Sequence, residues 1–309
     1  METVLITGGT GMVGKHLTEL LVLHGYSVII ATRNIHIDRR PHAKISYAVW
    51  DIHKQTIDEN AIKSADYIVH LAGAGVADKR WSEERKLEIK NSRTKSSATI
   101  CKALATIPNK VKAVVSASAI GWYGADNEMS RKEGFTENAV ADIAFLGETC
   151  RLWEESIEPI VTLDKRLVKL RIGIVLSNSG GALVEFKKPI KMGVAAVLGN
   201  GSQIISWIHV NDLCRMFLHA IQNEAMHGVY NAVAPLPVSN KTLTYSLAKQ
   251  LIGKFYIPVY VPSFILKIVL GEMSVEVLKS ATVSSKKIER SGFEFEYKNI
   301  DAALKNLCS

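Results

Sequence analysis

An apolar run, Val4 to Ile6, passes into Thr7-Gly8-Gly9-Thr10-Gly11-Met12-Val13-Gly14, and residues up to Leu23 continue with apolar positions at helical spacing. Strand, glycine turn and amphipathic helix, in that order, constrain the fold more than any other stretch of this chain. Gly8, Gly11 and Gly14 make the spacing Gly-x-x-Gly-x-x-Gly. In this context Gly8 permits a tight turn out of the strand, Gly11 lacks the side chain that would hold a pyrophosphate off the backbone, and Gly14 lets the helix lie close on the sheet. The helix N-terminus then faces the phosphates with unpaired N–H groups and the positive end of its dipole. Gly8, Thr10, Gly11, Met12, Val13 and Gly14 are therefore candidate dinucleotide contacts. An ordinary tight strand-to-helix turn is the alternative reading.

The pattern repeats. Residues 27–32, 45–50, 67–71, 112–116 (running on to Ser118) and 169–174 read as further buried strands. Between them, residues 14–24, 59–64, 83–105 and 143–158 read as helices. Apolar runs alternating with amphipathic helices predict an α/β fold of Rossmann type, a doubly wound parallel sheet covered on both faces. Ligands of such sheets lie beyond the carboxyl ends of the strands. After Leu176 the pattern changes. Residues 177–206 are glycine-rich and read as loop, followed by helices at 211–223, 243–252, 264–281 and 301–307. The expected organisation is a nucleotide-binding domain over residues 1–176 and a smaller substrate-shaping lobe over 177–309, with interleaving allowed at the boundary.

With 47% hydrophobic and 22% charged residues, the 309-residue chain reads as globular with a sizeable core. Its excess of 38 basic over 30 acidic residues, net +8, is scattered. The basic pairs Arg39-Arg40, Lys187-Lys188 and Lys286-Lys287 stand far apart, so no nucleic-acid stripe forms. Cys101, Cys150, Cys214 and Cys308 show no Cys-x-x-Cys, and no cluster has metal-ligand spacing, so no metal is expected. The apolar stretch from Phe264 to Leu270 is short and carries Lys267, which argues against a membrane span. The first strand begins at the start of the chain, which reads as lacking a signal peptide and predicts a cytoplasmic or equivalent reducing location.

The second strand ends in Thr32-Arg33-Asn34 rather than in an acidic residue. A carboxylate there would bind the adenosine ribose and repel a 2′-phosphate, whereas a guanidinium pairs with that phosphate. Arg33 therefore favours NADP(H), with Arg39 and Arg40 as possible additions to the pocket. An exposed loop cation is the plainer alternative. Asp51 ends the third strand, where it can accept from the adenine amino group or cap the next turn. Leu71, Ala72 and Gly73 form a strand end that lets backbone pass close to a cofactor, or is simply flexible.

Together these residues resemble the extended short-chain dehydrogenase/reductase family, which contains nucleotide-sugar epimerases and dehydratases. The marks are Thr7 to Gly14, the strand ending at Asp51, His70-Leu71-Ala72-Gly73, Asn91, Ser116-Ala117-Ser118, Leu170-Arg171-Ile172-Gly173 and Trp207 to Leu213. Within it, the chain resembles the atypical YfcH-like epimerase-family branch. Ser116 to Gly124, Cys150-Arg151-Leu152-Trp153-Glu154, Gly199 to His209, Asn231 to Val238 and the tail from Leu270 to Phe295 point there. With NADP(H) read from Arg33, the expected substrate is small and polar, a sugar derivative among the candidates, and the resemblance implies the homodimer common among extended members, formed through helices 83–105 and 143–158.

It also implies a Tyr-x-x-x-Lys pair, and this pair is absent. The expected helix reads Phe145-Leu146-Gly147-Glu148-Thr149-Cys150-Arg151. The spacing recurs only as Tyr245 to Lys249, far downstream, and reads as chance. Ser118, or Ser116, can orient a substrate, and Tyr123, five residues beyond Ser118, offers a hydroxyl or a structural ring. Ser118 and Tyr123 are the candidate catalytic residues. Glu148 and Glu154 are acid–base candidates or plain ion-pair partners. His209 and Asp212 read as ties between the lobes, and Gln203, Ser206 and Trp207 as the cleft wall. Two functions remain open: an NADP(H)-dependent oxidoreductase or epimerase-like enzyme, and an NADPH-binding sensor or scaffold without chemistry.

Overall fold

A computed structural model describes residues 1–34 and 42–308. Its first half alternates as expected. Strands β1 (Thr3–Thr7), β2 (Ser27–Thr32), β3 (Ile45–Asp51), β4 (Thr56–Ile57), β5 (Tyr67–His70), β6 (Ala113–Ala119) and β7 (Arg166–Ile172) are interleaved with helices α1 (Met12–Leu23), α2 (Glu59–Ser64), α3 (Glu83–Thr106), α4 (Glu128–Glu133) and α5 (Phe145–Ile157). Side chains fix the helix starts. Asp58 accepts from the backbone N–H groups of Asn60 and Ala61, and Ser82 accepts from that of Arg85, which satisfies donors the helices leave unpaired.

The second half contributes β8 (Ile174–Leu176), α6 (Ala182–Lys191), β9 (Val194–Leu198), β10 (Ile204–Ile205), β11 (Trp207–His209), α7 (Val210–Gln222), β12 (Gly228–Ala232), β13 (Val238–Ser239), α8 (Asn240–Ile252), β14 (Ile257–Val261), α9 (Ser263–Leu270), α10 (Ser274–Leu278), α11 (Lys286–Arg290) and α12 (Ile300–Cys308).

The main sheet has eight strands in the order β12-β7-β6-β5-β1-β2-β3-β4. Every neighbouring pair is parallel except the edge pair β3–β4. The winding direction reverses between β1 and β5, so the ends of these two strands frame the crevice where a doubly wound sheet binds its ligand. Leu17, Leu21, Leu213 and Phe217 of α1 and α7 cover one face over Val4, Ile6 and Val28. Ile62, Ile100 and Leu104 of α2 and α3 cover the other over Leu5, Ile68 and Val114. Burial on both faces explains why these strands read as continuous apolar runs. Among the described residues no helix is long and apolar enough to cross a membrane.

Three expectations are corrected. Residues 177–206 are not all loop, since they hold α6, β9 and β10. Gly180, Gly181 and Pro189 hid a helix whose Leu183 and Ile190 are buried with Leu243 and Leu247. The helix expected over 264–281 breaks at Gly271, whose φ of +62° ends α9 before a short turn leads into α10. The strand expected over 169–174 begins earlier, at Arg166, and breaks at Gly173 into β7 and β8. The chain also returns to the main sheet after residue 177, because α7 and β12 belong to that layer.

Candidate functional site

The glycine turn lies at the reversal point. Gly8 has φ +74°, and a Cβ on it would come within 2.8 Å of the Leu71 carbonyl carbon, so the turn is pressed onto the end of β5. A Cβ on Gly14 would sit 2.4 Å from the Gly8 carbonyl oxygen. Gly14 is thus required by the turn it packs under, more closely than by the sheet. The Gly11 N–H donates to that same oxygen at 3.0 Å. The first turn of α1 has no side-chain cap and no acidic residue, so among the described residues no side chain caps its N–H groups. A cradle that a Cβ would fill, facing an uncapped helix end, fits the pyrophosphate of a dinucleotide. Gly180 and Gly181 pass over the Met12 side chain, which closes the segment after β8 against this turn.

The neighbouring strand ends carry the remaining cofactor candidates. Arg33 is exposed, one residue past β2 and beside the turn through the β1–β2 pairing. Arg39 and Arg40 lie outside the described residues. Asp51 uses Oδ1 to accept from the backbone N–H groups of His53 and Lys54, at 2.8 and 3.1 Å, which caps the next turn. Those two bonds hold its carboxyl below the usual carboxylate range. Leu71 donates its N–H to the Thr7 carbonyl at 3.0 Å, so the Leu71-Ala72-Gly73 segment runs beside the glycine turn. Gly73 is small for a reason the sequence did not show: its missing Cβ leaves room for the Arg93 guanidinium of α3, whose Cζ would lie 3.2 Å away.

At the end of β6, the Ser118 hydroxyl donates to Glu154 Oε1 of α5 at 2.7 Å. Glu154 is in turn held by Arg171 of β7. The Arg171 guanidinium lies 3.6 Å over the Trp122 ring, and its Nη1 donates to the Tyr123 hydroxyl at 3.1 Å. Tyr123 donates onward to Asn231 Oδ1 at 2.6 Å. Here the expectation for Tyr123 is corrected. Its side chain is fully buried, burial pushes its phenol up to about 12, and its hydroxyl is spent on β12 rather than presented to a cleft. Ser118 is also buried, but only its proton is committed.

The helix expected to carry the absent pair does pack here. A Cβ on Gly121, in the turn after β6, would meet Leu146 at 3.2 Å and Cys150 at 3.4 Å, so these two α5 side chains, four residues apart, pack beside that turn while Glu154 of the same helix reaches Ser118. Burial pushes the Cys150 thiol up to about 12, leaving it a neutral packing group. Glu148 points away and pairs with Arg151 at 2.7 Å on the surface. Tyr245 and Lys249 lie on α8 in the other lobe, where Tyr245 approaches Tyr260.

Of the cleft-wall candidates, Gln203 lines a cleft of about 500 Å³ with Asp126, Arg131 and Thr282. Ser206 and Trp207 do not line it, which corrects that reading. Ser206 is buried and bonds the backbone of Ala281 and Val283, while Trp207 sits in the second core and donates to the Leu236 carbonyl. His209 caps α7 through Nδ1, stacks on Tyr297 and approaches Asn306 at 3.1 Å. Asp212 accepts from the N–H groups of Glu296 and Tyr297. Both therefore tie the C-terminal segment to α7. Sequence reasoning missed Arg93 altogether, and missed that Glu154 and Arg171 form a buried pair. The available signal for the pair was an arginine flanked by apolar residues near the end of a buried strand, Leu170-Arg171-Ile172.

Residues 4–142 match the NAD dependent epimerase/dehydratase family, and residues 261–307 match a domain of unknown function, DUF1731. An epimerase family protein of Staphylococcus aureus strain MRSA252 is 35% identical over 309 residues, all of both chains. Another, from Staphylococcus saprophyticus, is 34% identical over 99% of each chain. Among solved structures, the human epimerase family protein SDR39U1, crystallised with NADPH, aligns over 99% of both chains with a TM-score of 0.84 and 26% identity. A nucleoside-diphosphate sugar epimerase from Corynebacterium glutamicum aligns over 99% of this chain and 58% of its own, with a TM-score of 0.77 and 29% identity. By full-length similarity and by both matched segments, this chain belongs to the NAD-dependent epimerase/dehydratase family, in the atypical branch that ends in the domain of unknown function.

Proposed function

We propose that this protein binds NADP(H) and acts as an oxidoreductase or epimerase-like enzyme on a small polar substrate of the sugar-derivative class. The observation that carries the reading is the uncapped α1 end and glycine cradle at the sheet's reversal point, with Arg33 rather than a carboxylate one residue past β2. The similarity to a human relative crystallised with NADPH supports the same cofactor. Gly8, Thr10, Gly11, Met12, Val13 and Gly14 would hold the pyrophosphate, Arg33 the 2′-phosphate, and Leu71 to Gly73 the passage toward the reacting ring. Asp51 keeps Oδ2 for the adenine side.

When bound, such a cofactor supplies or accepts a hydride. The chain's own part is proton handling and orientation. Ser118 donates to Glu154, so its oxygen lone pairs are free to accept from a substrate hydroxyl, with Glu154 behind it as the proton's destination. The segment after residue 177 would supply the substrate wall through Gln203. A second reading, a cofactor-binding sensor or scaffold, is favoured by one observation: α5 carries no tyrosine or lysine, and Leu146 and Cys150 pack beside Gly121 in the turn after β6. Adding mixtures of carbonyl compounds and nucleotide sugars to the NADPH-loaded protein separates the two. Loss of absorbance at the reduced nicotinamide band supports the enzyme. Tight binding without loss across the panel supports the sensor, and no binding of NADPH overturns both.

A further inference from the structure

Arg93 of α3 is a cation that the fold goes to some length to place. Its Nη1 donates to the Ala74 carbonyl at 3.0 Å, just past the β5 end, and to the Ile89 carbonyl at 2.9 Å. Its guanidinium lies 4.9 Å over the Trp153 ring of α5. Gly73 lacks the Cβ that would displace it. Three elements and one glycine thus fix one side chain beside the glycine turn.

What the site omits is a counter-charge. Among the described residues no ion pair to Arg93 forms, and its two hydrogen bonds both use Nη1, which leaves Nε and Nη2 facing solvent. The ionisable groups that act on it are His70 from β5, Cys150 from α5 and Arg85 from its own helix. Burial holds His70 neutral and Cys150 protonated, and Arg85 repels. Glu154, one residue along α5 from Trp153, is paired with Arg171 and accepts from Ser118, and forms no ion pair with Arg93. Burial accordingly pushes the Arg93 guanidinium below the usual arginine range. A half-buried cation held by its neighbours, with two solvent-reached donors unused and no protein anion, is poised for ligand oxygens to take the place of water.

We propose that Arg93 is the cofactor-positioning residue of this chain, gripping oxygens of the nicotinamide-side nucleotide from α3 and filling the place that a lysine on α5 leaves empty. The proposal rests on the dinucleotide reading above and assigns to one residue the half of the cofactor that Arg33 does not reach. A guanidinium suits the task, because its planar fork can span two oxygens while a third nitrogen stays anchored to the backbone.

Cofactor fragments test it. NADPH and adenosine 2′,5′-bisphosphate, which lacks the nicotinamide half, are titrated against the unaltered protein, Arg93→Met and Arg93→Lys, with melting temperatures of the unliganded proteins as a folding control. The expected result is NADPH binding roughly tenfold to a hundredfold weaker in Arg93→Met, as for a lost hydrogen bond to a charged group, with bisphosphate binding unchanged. Arg93→Lys should recover part of the loss, and it carries the test alone should Arg93→Met not fold. Equal NADPH binding in all three proteins, or equal weakening of both ligands, overturns the role of Arg93. Failure of the unaltered protein to bind either ligand overturns the dinucleotide reading itself, and Arg93 with it.

Discussion

Glu154 and Arg171 meet through two hydrogen bonds, Nε to Oε1 at 2.8 Å and Nη2 to Oε2 at 3.0 Å, and both side chains are buried. The pair ties α5 to β7 beneath Ser118, so the candidate reacting hydroxyl is oriented by an ion pair rather than by a single flexible carboxylate. Removing one partner leaves a buried charge without compensation, which costs more than the pair itself contributes. Glu154→Leu should lower unfolding free energy by about 3–5 kcal/mol in urea titrations. The double variant Glu154→Leu/Arg171→Met should regain part of that. A double variant less stable than the single one would show that the pair is not the unit.

Tyr123 gives the converse prediction. Its hydroxyl donates to Asn231 and accepts from Arg171, with its ring stacked on Phe135 at 5.1 Å. Tyr123→Phe keeps the ring and orphans Asn231 Oδ1. Stability should fall by roughly 1–3 kcal/mol, the cost of an unsatisfied buried acceptor. NADPH affinity and any turnover should remain within about twofold, a change worth no more than a few tenths of a kcal/mol. Loss of turnover with stability intact would restore Tyr123 as a reacting group.

Arg33 is tested by selectivity. In the unaltered protein NADPH should bind more tightly than NADH, and Arg33→Asp should cut that preference by about tenfold or more, because a charge-assisted pair to the 2′-phosphate becomes a repulsion. Equal affinities in the unaltered protein would remove Arg33 from the pocket. Fluorescence titration of both cofactors reads the result directly.

These outcomes bear on what a sequence can disclose. The β1-turn-α1 unit was legible because its signal is local: strand, glycines and helix follow one another, and Gly8 and Gly14 contact each other across six residues. The parallel sheet was legible because burial on both faces writes itself as apolar runs. The candidate site was less so, because its chemistry is assembled from β6, α5, β7 and β12. Nothing near Tyr123 in the chain announces Asn231, and nothing near Arg93 announces Gly73. Helix α6 was hidden for a different reason. Pro189 and two glycines argued locally for a loop, and burial of Leu183 and Ile190 in the second core overrode them.

His70 ends β5 beside the glycine turn and predicts how stability depends on pH. Its Nδ1 lies 2.7 Å from Thr7 Oγ1, and its Nε2 lies 3.2 and 3.3 Å from the hydroxyls of Ser96 and Ser97. Burial, with Arg93 adding to it, pushes the imidazole down from 6.5 to about 3. The folded chain therefore keeps His70 neutral at pH values where the unfolded chain takes up a proton. Above about pH 6.5 both states are neutral and His70 adds no pH dependence. Below it the unfolded state binds more protons, so stability falls as pH drops toward about 3, by up to ~1.4 kcal/mol per pH unit for this one group. His209, held at about 4 mainly by burial, contributes in the same direction over a narrower window. Urea titrations between pH 7 and pH 5 should show this slope. His70→Gln, less stable overall because its hydroxyl partners are imperfectly met, should show a slope shallower by about the share of one histidine. An unchanged slope in His70→Gln would mean that His70 titrates in the folded protein, and that the end of β5 is open to water.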